Sequence, residues 1–170
     1  GTKGKTTTTF MVKGILEHAG YKVGLMGTIE TIIGDKHIPA CNTTPESYLI
    51  QEYFAQMVEA GCEICVMEVS SQGLMMHRTA GIPFEIGIFT NLAPDHIGPN
   101  EHASFEEYAA CKGMLFKQCR LGIANIDDEH FQMVLEGHTC KLETIGFSEN
   151  ADYRASNVEL IGRPGYLGVK

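Results

Sequence analysis

The residues best suited to chemistry open the chain, in the stretch GTKGKTTTTF. Gly4, Lys5 and Thr6 form the G-K-T that ends a phosphate-binding loop of the form G-x-x-x-x-G-K-[ST]. A glycine lets the backbone approach an anion, and amides at a helix start face the phosphates of a nucleotide. The lysine of such a loop reaches the terminal phosphates, and the next hydroxyl binds Mg²⁺. The first half of the motif and the strand that precedes it lie outside this sequence. The alternative to nucleotide binding is therefore a segment that is rich in glycine and threonine by chance.

Polar side chains also follow two apolar segments further along the chain. In the segment ICVMEVSS, Glu68 follows the first four apolar residues. In the segment IGIFTNLAPDH, Asn91, Asp95 and His96 follow the apolar strand pattern. Ligand-binding groups in open α/β sheets lie at the carboxyl ends of strands, so these residues could meet the phosphate loop, with Glu68 as an acid for its metal. The alternatives are a solvated strand-end glutamate and a solvated loop histidine.

The elements that must position these residues alternate between strand and helix patterns. Predicted strands cover 21–26, 62–69, 85–90, 121–126 and 142–147, with a hairpin around Gly34-Asp35. Helices are predicted after the opening loop, from a Thr44 cap, over 104–120 with a Ser104 cap and Glu107 in a capping box, and briefly over 128–136. This order predicts an α/β fold with a mostly parallel sheet flanked by helices. Alternation from Tyr153 onwards predicts a small antiparallel β element near the C-terminus.

Composition narrows the classes of partner. The 170 residues carry a formal charge of −8 with a pI of about 5.3, which argues against a nucleic-acid backbone as the main partner. We find no apolar run long enough for membrane insertion and no signal peptide, so we expect a cytoplasmic protein with free thiols. Cys62 and Cys65 form a C-x-x-C inside a predicted strand, which favours core packing over a zinc or redox site.

Five motifs occur in an order and spacing that resemble one family: GTKGKTTT, NTTPES, MEVSSQGLMMHR, FTNLAPDH and EEYAACKGMLF. Together they resemble the central ATPase domain of the Mur ligases, which is P-loop NTPase-like, and most closely its UDP-N-acetylmuramoyl-tripeptide synthetase branch. The resemblance implies an ATP-binding central domain over 1–150 that lacks its first strand, and a β extension of the same domain over 151–170. It also implies N-terminal uridine-binding and C-terminal domains outside this sequence.

The activity that the resemblance implies is an ATP-dependent amide ligation. Such an enzyme adds an amino acid to UDP-N-acetylmuramoyl-L-Ala-D-Glu through an acyl phosphate, with ATP and Mg²⁺ as cofactors. The amino acid stays open between meso-diaminopimelate and lysine. Alternatives are a folylpolyglutamate synthetase-type ligase and a fragment that only binds nucleotide. A P-loop kinase or GTPase is disfavoured, because we find neither N-K-x-D nor a phosphoacceptor site.

The resemblance also assigns roles to individual residues. The ATP-binding residues would be Gly1, Thr2, Lys3, Gly4, Lys5, Thr6, Thr7 and Asn91. The muramyl-peptide substrate would contact Asn42, Thr43, Thr44, Ser70 and Arg78. The metal ligands would be Thr6 and Glu68 for a first Mg²⁺, with His96 for a second and Lys112 as a carbamate. Lys5, Lys112 and His96 would be the catalytic residues.

Three positions depart from the family pattern. Lys3 replaces the usual asparagine and should alter the electrostatics of the loop. Gln72 and Met76 replace a usual histidine and glutamine, so finer substrate contacts should differ. Lys112 follows the pattern, and the carbamate would form when its neutral amine reacts with CO₂. Without the resemblance, Lys112 would be interpreted as a lysine on a helix surface.

Overall fold

A computed structural model describes residues 1–95, 97–99, 101–163 and 166–169. The helices in these ranges are α1 Lys5–His18, α2 Ser47–Glu59, α3 Ser71–Met75, α4 Phe105–Gly113 and α5 Phe131–Val134, with a 3₁₀ turn at Met114–Lys117. The strands are β1 Val23–Met26, β2 Glu30–Ile33, β3 Lys36–Pro39, β4 Ile64–Met67, β5 Phe84–Phe89, β6 Cys119–Asn125, β7 Lys141–Gly146, β8 Tyr153–Arg154, β9 Leu160–Arg163 and β10 Tyr166–Val169. No helix in these ranges has the length and apolar character that crossing a bilayer requires.

The strands form two larger sheets and one hairpin. The first sheet has the order β3-β2-β1-β4, in which β1 pairs antiparallel with β2 and parallel with β4. The second has the order β5-β6-β7-β8 and is parallel throughout. The α/β fold and the antiparallel C-terminal element are confirmed. The hairpin consists of β9 and β10, whereas Tyr153 belongs to β8, which extends the parallel sheet.

Each larger sheet has its own apolar core. Beside the first sheet, α2 contributes Ile50, Tyr53 and Met57, whose three- and four-residue spacing places them on one face of the helix. They pack with Met26 of β1 and Ile33 of β2. The second core lies around β5 and β6 and contains Phe89, Tyr108, Phe116, Ala124 and Val134. The helices therefore cover the sheets, as an alternating chain requires.

One of the two predicted helix caps is correct. The Ser104 hydroxyl accepts a hydrogen bond from the Glu107 amide, and the Glu107 carboxylate reaches back to the Ala103 amide. Thr44 does not cap α2, because that helix begins at Ser47 after Glu46. The Thr44 side chain is instead fully buried, and its hydroxyl accepts a hydrogen bond from the Ser70 amide. A tertiary contact thus replaces the local cap.

The helix predicted over 104–120 is shorter than expected. It ends at Gly113, and the chain passes through the 3₁₀ turn into β6 at Cys119. The Gln118 carbonyl accepts a hydrogen bond from the Phe84 amide, so sheet pairing begins there and stops the helical pattern. Phe116 is buried in the core within this turn.

Two glycine substitutions test the packing. A Cβ at Gly113 would lie 2.6 Å from the backbone oxygen of Val134, whereas a Cβ at Gly14 on α1 would meet nothing within 4 Å. We expect Gly113→Ala to lower the free energy of unfolding by about 1–3 kcal/mol, because backbone must shift. We expect Gly14→Ala to raise it by about 0.5–1 kcal/mol. Urea denaturation measures both, and changes of the same sign would contradict the packing described.

Candidate active site

The head of α1 has the geometry of an anion-binding site. Gly4 precedes the helix with φ 80°, a left-handed conformation that favours glycine, and it makes no side-chain cap. The first amides of a helix carry the positive end of its dipole. The Lys5 ammonium donates to the carbonyl oxygens of Gly1 at 3.0 Å and Thr2 at 3.2 Å, so it lies against the loop. Burial lowers the pKa of Lys5, although Glu68 acts in the opposite direction.

The loop before α1 is fixed to the chain that follows β5. The Thr2 amide donates to the Asn91 carbonyl at 2.9 Å, and the Lys3 amide donates to the Asn91 side-chain oxygen at 2.9 Å. The Asn91 side-chain nitrogen and the Thr90 hydroxyl both donate to the Lys3 carbonyl. The Thr2 hydroxyl lies 3.1 Å from the Tyr108 hydroxyl. Asn91 therefore holds the loop through its backbone and its side chain.

Glu68 links the loop to the end of β1. Its side chain is only 1% exposed, and both carboxylate oxygens accept hydrogen bonds. One accepts from the Thr28 amide at 2.9 Å, and the other accepts from the Thr6 and Thr28 hydroxyls, each at 3.0 Å. A Cβ at Gly27 would lie 2.5 Å from the first oxygen, so a glycine is needed there. The solvated alternative for Glu68 is therefore wrong.

The hydroxyl and carboxylate at this point suit a magnesium ion. Mg²⁺ prefers oxygen ligands and is commonly held by one or two carboxylates together with waters and substrate phosphates. Thr6 and Glu68 supply such oxygens beside the head of α1. Within the part of the chain that is described, no three His, Cys, Asp or Glu side chains cluster for a metal. His96, the predicted ligand of a second Mg²⁺, lies outside the described residues.

Lys112 is not a surface lysine. It lies on α4 with 7% exposure, and its ammonium nitrogen is 4.3 Å from the centre of the Tyr108 ring. Burial, followed by the charge of Lys5, lowers the pKa of Lys112 to about 7. Near neutral pH a substantial fraction of this side chain is therefore the free amine.

Besides the anion-binding region at the head of α1, the structure has a second cavity, which is lined by all five residues that the family resemblance assigns to the substrate. It measures about 310 Å³, and its lining includes Asn42, Thr43, Thr44, Ser70 and Arg78. Lys5 of the loop lines the same cavity. The cavity and the head of α1 therefore share Lys5.

The walls of this cavity are braced by hydrogen bonds. The Thr44 hydroxyl lies 3.0 Å from the carbonyl oxygen of Glu68 and 3.2 Å from the Ser70 hydroxyl. The Arg78 guanidinium donates to the Thr44 carbonyl at 3.1 Å and pairs with Glu46 at 2.6 Å. These contacts join the segment before α2 to the segment after β4.

The sequence of this chain is similar to sequences of known proteins. The family model described as "Mur ligase middle domain" matches residues 1–162. This chain belongs to the Mur ligase family. The chain is 47% identical over 163 residues to a protein of Clostridium acetobutylicum named UDP-N-acetylmuramoyl-L-alanyl-D-glutamate--2,6-diaminopimelate ligase 1, covering 96% of this chain and 33% of the relative.

A second relative and a solved structure agree with this match. The ligase of the same name, without the numeral, from Clostridium tetani is 48% identical over 169 residues, covering 99% of this chain and 34% of that protein. A solved structure of a UDP-N-acetylmuramoyl-L-alanyl-D-glutamate--2,6-diaminopimelate ligase superposes with a TM-score of 0.84 at 26% identity, covering 94% of this chain and 33% of that one. The chain thus spans about a third of the length of these proteins.

Sequence reasoning missed three residues of this Mur ligase site. Thr28 donates twice to Glu68, Tyr108 contacts Thr2 and Lys112, and the buried His102 lies 2.9 Å from the Ser71 hydroxyl. Thr28 follows the end of β1, so the rule that located Glu68 could have found it. Tyr108 and His102 carry no comparable signal, because their roles depend on tertiary packing.

The buried Lys112 gives a testable pH dependence. An unfolded lysine has a pKa near 10.5, whereas the pKa of Lys112 in the folded chain is about 7, so between these values the unfolded chain binds more protons. The free energy of unfolding of the parent chain should therefore rise from pH 7 to pH 10, as the cost of burying a charged Lys112 disappears. We expect Lys112→Met to be more stable than the parent at pH 6.5, by on the order of 2–4 kcal/mol, with the gain shrinking towards pH 10.

Denaturation in CO₂-free buffer without divalent ions would measure this difference. Lys117→Met is the matched control, because Lys117 is exposed on the neighbouring 3₁₀ turn. A Lys112→Met difference that is as flat with pH as that of the control would contradict the buried amine.

Proposed function

We propose that this Mur ligase middle domain is the ATP-binding part of a longer ligase that joins an amino acid to UDP-N-acetylmuramoyl-L-alanyl-D-glutamate. The observation that carries the proposal is the position of Lys5, which belongs to the loop at the head of α1 and also lines the second cavity. An acid bound in that cavity would lie beside the terminal phosphate of a nucleotide on the loop. The names of the relatives support diaminopimelate as the amino acid.

The loop residues would bind the triphosphate of ATP. Gly1 to Thr7 would offer backbone amides and the Lys5 ammonium, and Asn91 would hold the loop in place. Gly4 supports this role, because its left-handed backbone turns the chain into α1 without a capping side chain. Lys3 pairs with Asp95 at 3.0 Å on the surface, while the Asn91 side chain contacts the backbone of Lys3, so these loop contacts do not use the lysine side chain.

Thr6 and Glu68 would hold a first Mg²⁺, and His96 with a carbamylated Lys112 would serve a second. When bound, these ions would neutralise charge on the phosphates. The carbamate would form when the Lys112 amine bonds to the carbon of CO₂ and releases a proton. The lowered pKa of Lys112 supports this, because only the free amine reacts.

The reaction would have two steps. A carboxylate oxygen of the muramyl dipeptide attacks the γ-phosphorus, and the bond to the ADP oxygen breaks, which gives an acyl phosphate and ADP. The amine of the amino acid then attacks the acyl carbon, loses a proton and displaces phosphate. Lys5 would act by positioning and by charge neutralisation, the terms that dominate phosphoryl transfer. Asn42, Thr43, Thr44, Ser70 and Arg78 would hold the acid.

The residues after 150 belong, in this proposal, to the same domain as the ATP-binding part. The pairing of β8 with β7 supports this assignment, since it extends the parallel sheet. The flanking uridine-binding and C-terminal domains would supply the remaining substrate contacts.

Phosphate release by the longer protein tests the function. Release from ATP should require both the UDP-muramyl dipeptide and diaminopimelate, and lysine should not replace the latter. Lys5→Met should lower kcat by at least about 100-fold, because transition-state charge loses its stabilisation. Lys13→Met, on the same helix and paired only with Glu17 in the described contacts, is the matched control. Release without the dipeptide, or equal rates for both variants, would contradict the proposal.

A further inference from the structure

Tyr108 lies where helix α4 meets the loop before α1. It precedes Lys112 by four residues, so both side chains project from the same face of the helix. The Lys112 ammonium nitrogen lies 4.3 Å from the centre of the Tyr108 ring, and the Tyr108 hydroxyl lies 3.1 Å from the Thr2 hydroxyl. The tyrosine is only 1% exposed. One buried side chain therefore contacts both the loop and Lys112.

The Tyr108 hydroxyl contacts a buried part of the loop. Thr2 is also largely buried, and its hydroxyl accepts a hydrogen bond from the Ala93 amide at 3.0 Å. Thr2 lies two residues before Gly4, whose left-handed backbone leads into α1. A hydrogen bond between buried hydroxyls is costly to lose, because water cannot readily replace it. The contact thus fixes the loop against α4 close to the head of α1.

The ring of Tyr108 restrains the flexible side chain of Lys112. An ammonium group is attracted to the face of an aromatic ring. A lysine side chain has many rotamers, whereas a tyrosine ring has few, so contact with the ring limits where the amine can lie. The ring also lies against the His102 ring, with the two centroids 5.0 Å apart, and His102 Nε2 lies 2.9 Å from the Ser71 hydroxyl. The ring that restrains Lys112 is therefore held by neighbours of its own.

We propose that Tyr108 is a positioning residue of the ATP site. Its hydroxyl fixes the loop through Thr2, and its ring fixes the Lys112 amine, so one rigid side chain sets the distance between the two. The effect on the reaction rests on the proposed function, in which the loop binds the triphosphate and Lys112 serves a metal ion beside it. Phosphoryl transfer depends on such positioning, and a small displacement of one group is costly. The contacts themselves do not depend on the reaction.

Removal of the hydroxyl alone tests the contact with the loop. In the longer protein, Tyr108→Phe keeps the ring, so the KM for ATP should rise about 3- to 10-fold while kcat stays within about 2-fold. Adding Tyr108→Phe to Thr2→Val should raise the KM no further, because the contact is already lost. Tyr53→Phe, in the core beside the first sheet, is the matched control and should leave the KM unchanged. Equal effects of Tyr108→Phe with and without Thr2→Val would overturn the inference.

Removal of the ring tests the contact with Lys112. Tyr108→Leu should lower kcat at least about 10-fold below that of Tyr108→Phe, because the amine is no longer held in place. Phe116→Leu is the matched control, since it removes another buried ring from the same core, and its kcat should stay within about 2-fold of the parent value. All variants are assayed below their Tm, so that loss of folded protein does not contribute. Equal kcat values for Tyr108→Leu and Tyr108→Phe, or an equal fall in Phe116→Leu, would contradict the role of the ring.

Amide exchange at Ala93 tests the loop contact without any ligand. This amide donates to the Thr2 hydroxyl, so Tyr108→Phe should speed its exchange at least about 3-fold, whereas Tyr53→Phe should not change it. If the parent protein does not release phosphate as proposed but Ala93 exchange responds, the proposed function fails and the contact is supported. If the parent is active but Tyr108→Phe changes neither Ala93 exchange nor the KM for ATP, the inference is overturned.

Discussion

The buried carboxylate of Glu68 is the interaction on which the rest of the site depends. A carboxylate can be buried at low cost only when hydrogen bonds replace its water. Here the replacements come from Thr6 at the head of α1 and Thr28 after β1, while Glu68 itself follows β4. Three elements are therefore fixed relative to one another by one side chain. The loop before α1 and the oxygens proposed to bind Mg²⁺ share this anchor.

The same constraint explains why the second cavity adjoins the loop at the head of α1. Thr44 contacts the carbonyl of Glu68, so the wall of the second cavity is attached to the residue that also anchors α1. Lys5 faces both regions from its position beside the loop carbonyls. In the proposed function, Lys5 would lie between an acid in the second cavity and a phosphate on the loop, where its charge would favour phosphoryl transfer.

The sequence predicted the parts of the fold and site that local patterns control. Strand ends located Glu68 and Asn91, the G-K-T motif located the head of α1, and the capping box located the start of α4. The predicted Thr44 cap is wrong, because a threonine before proline has the same local pattern whether its hydrogen-bond partner is local or distant. Tyr108 and His102 could not be found, since packing between distant segments brings them to the site. The burial of Lys112 required the fold as well.

Diffraction from crystals grown with Mn²⁺ and a non-hydrolysable ATP analogue would test the central claim most directly. Mn²⁺ takes oxygen ligands as Mg²⁺ does, and its anomalous signal locates it independently of the surrounding density. The account requires a peak beside the Thr6 hydroxyl and the Glu68 carboxylate, with the triphosphate at the head of α1. A peak away from Glu68, or a triphosphate bound elsewhere, would contradict it.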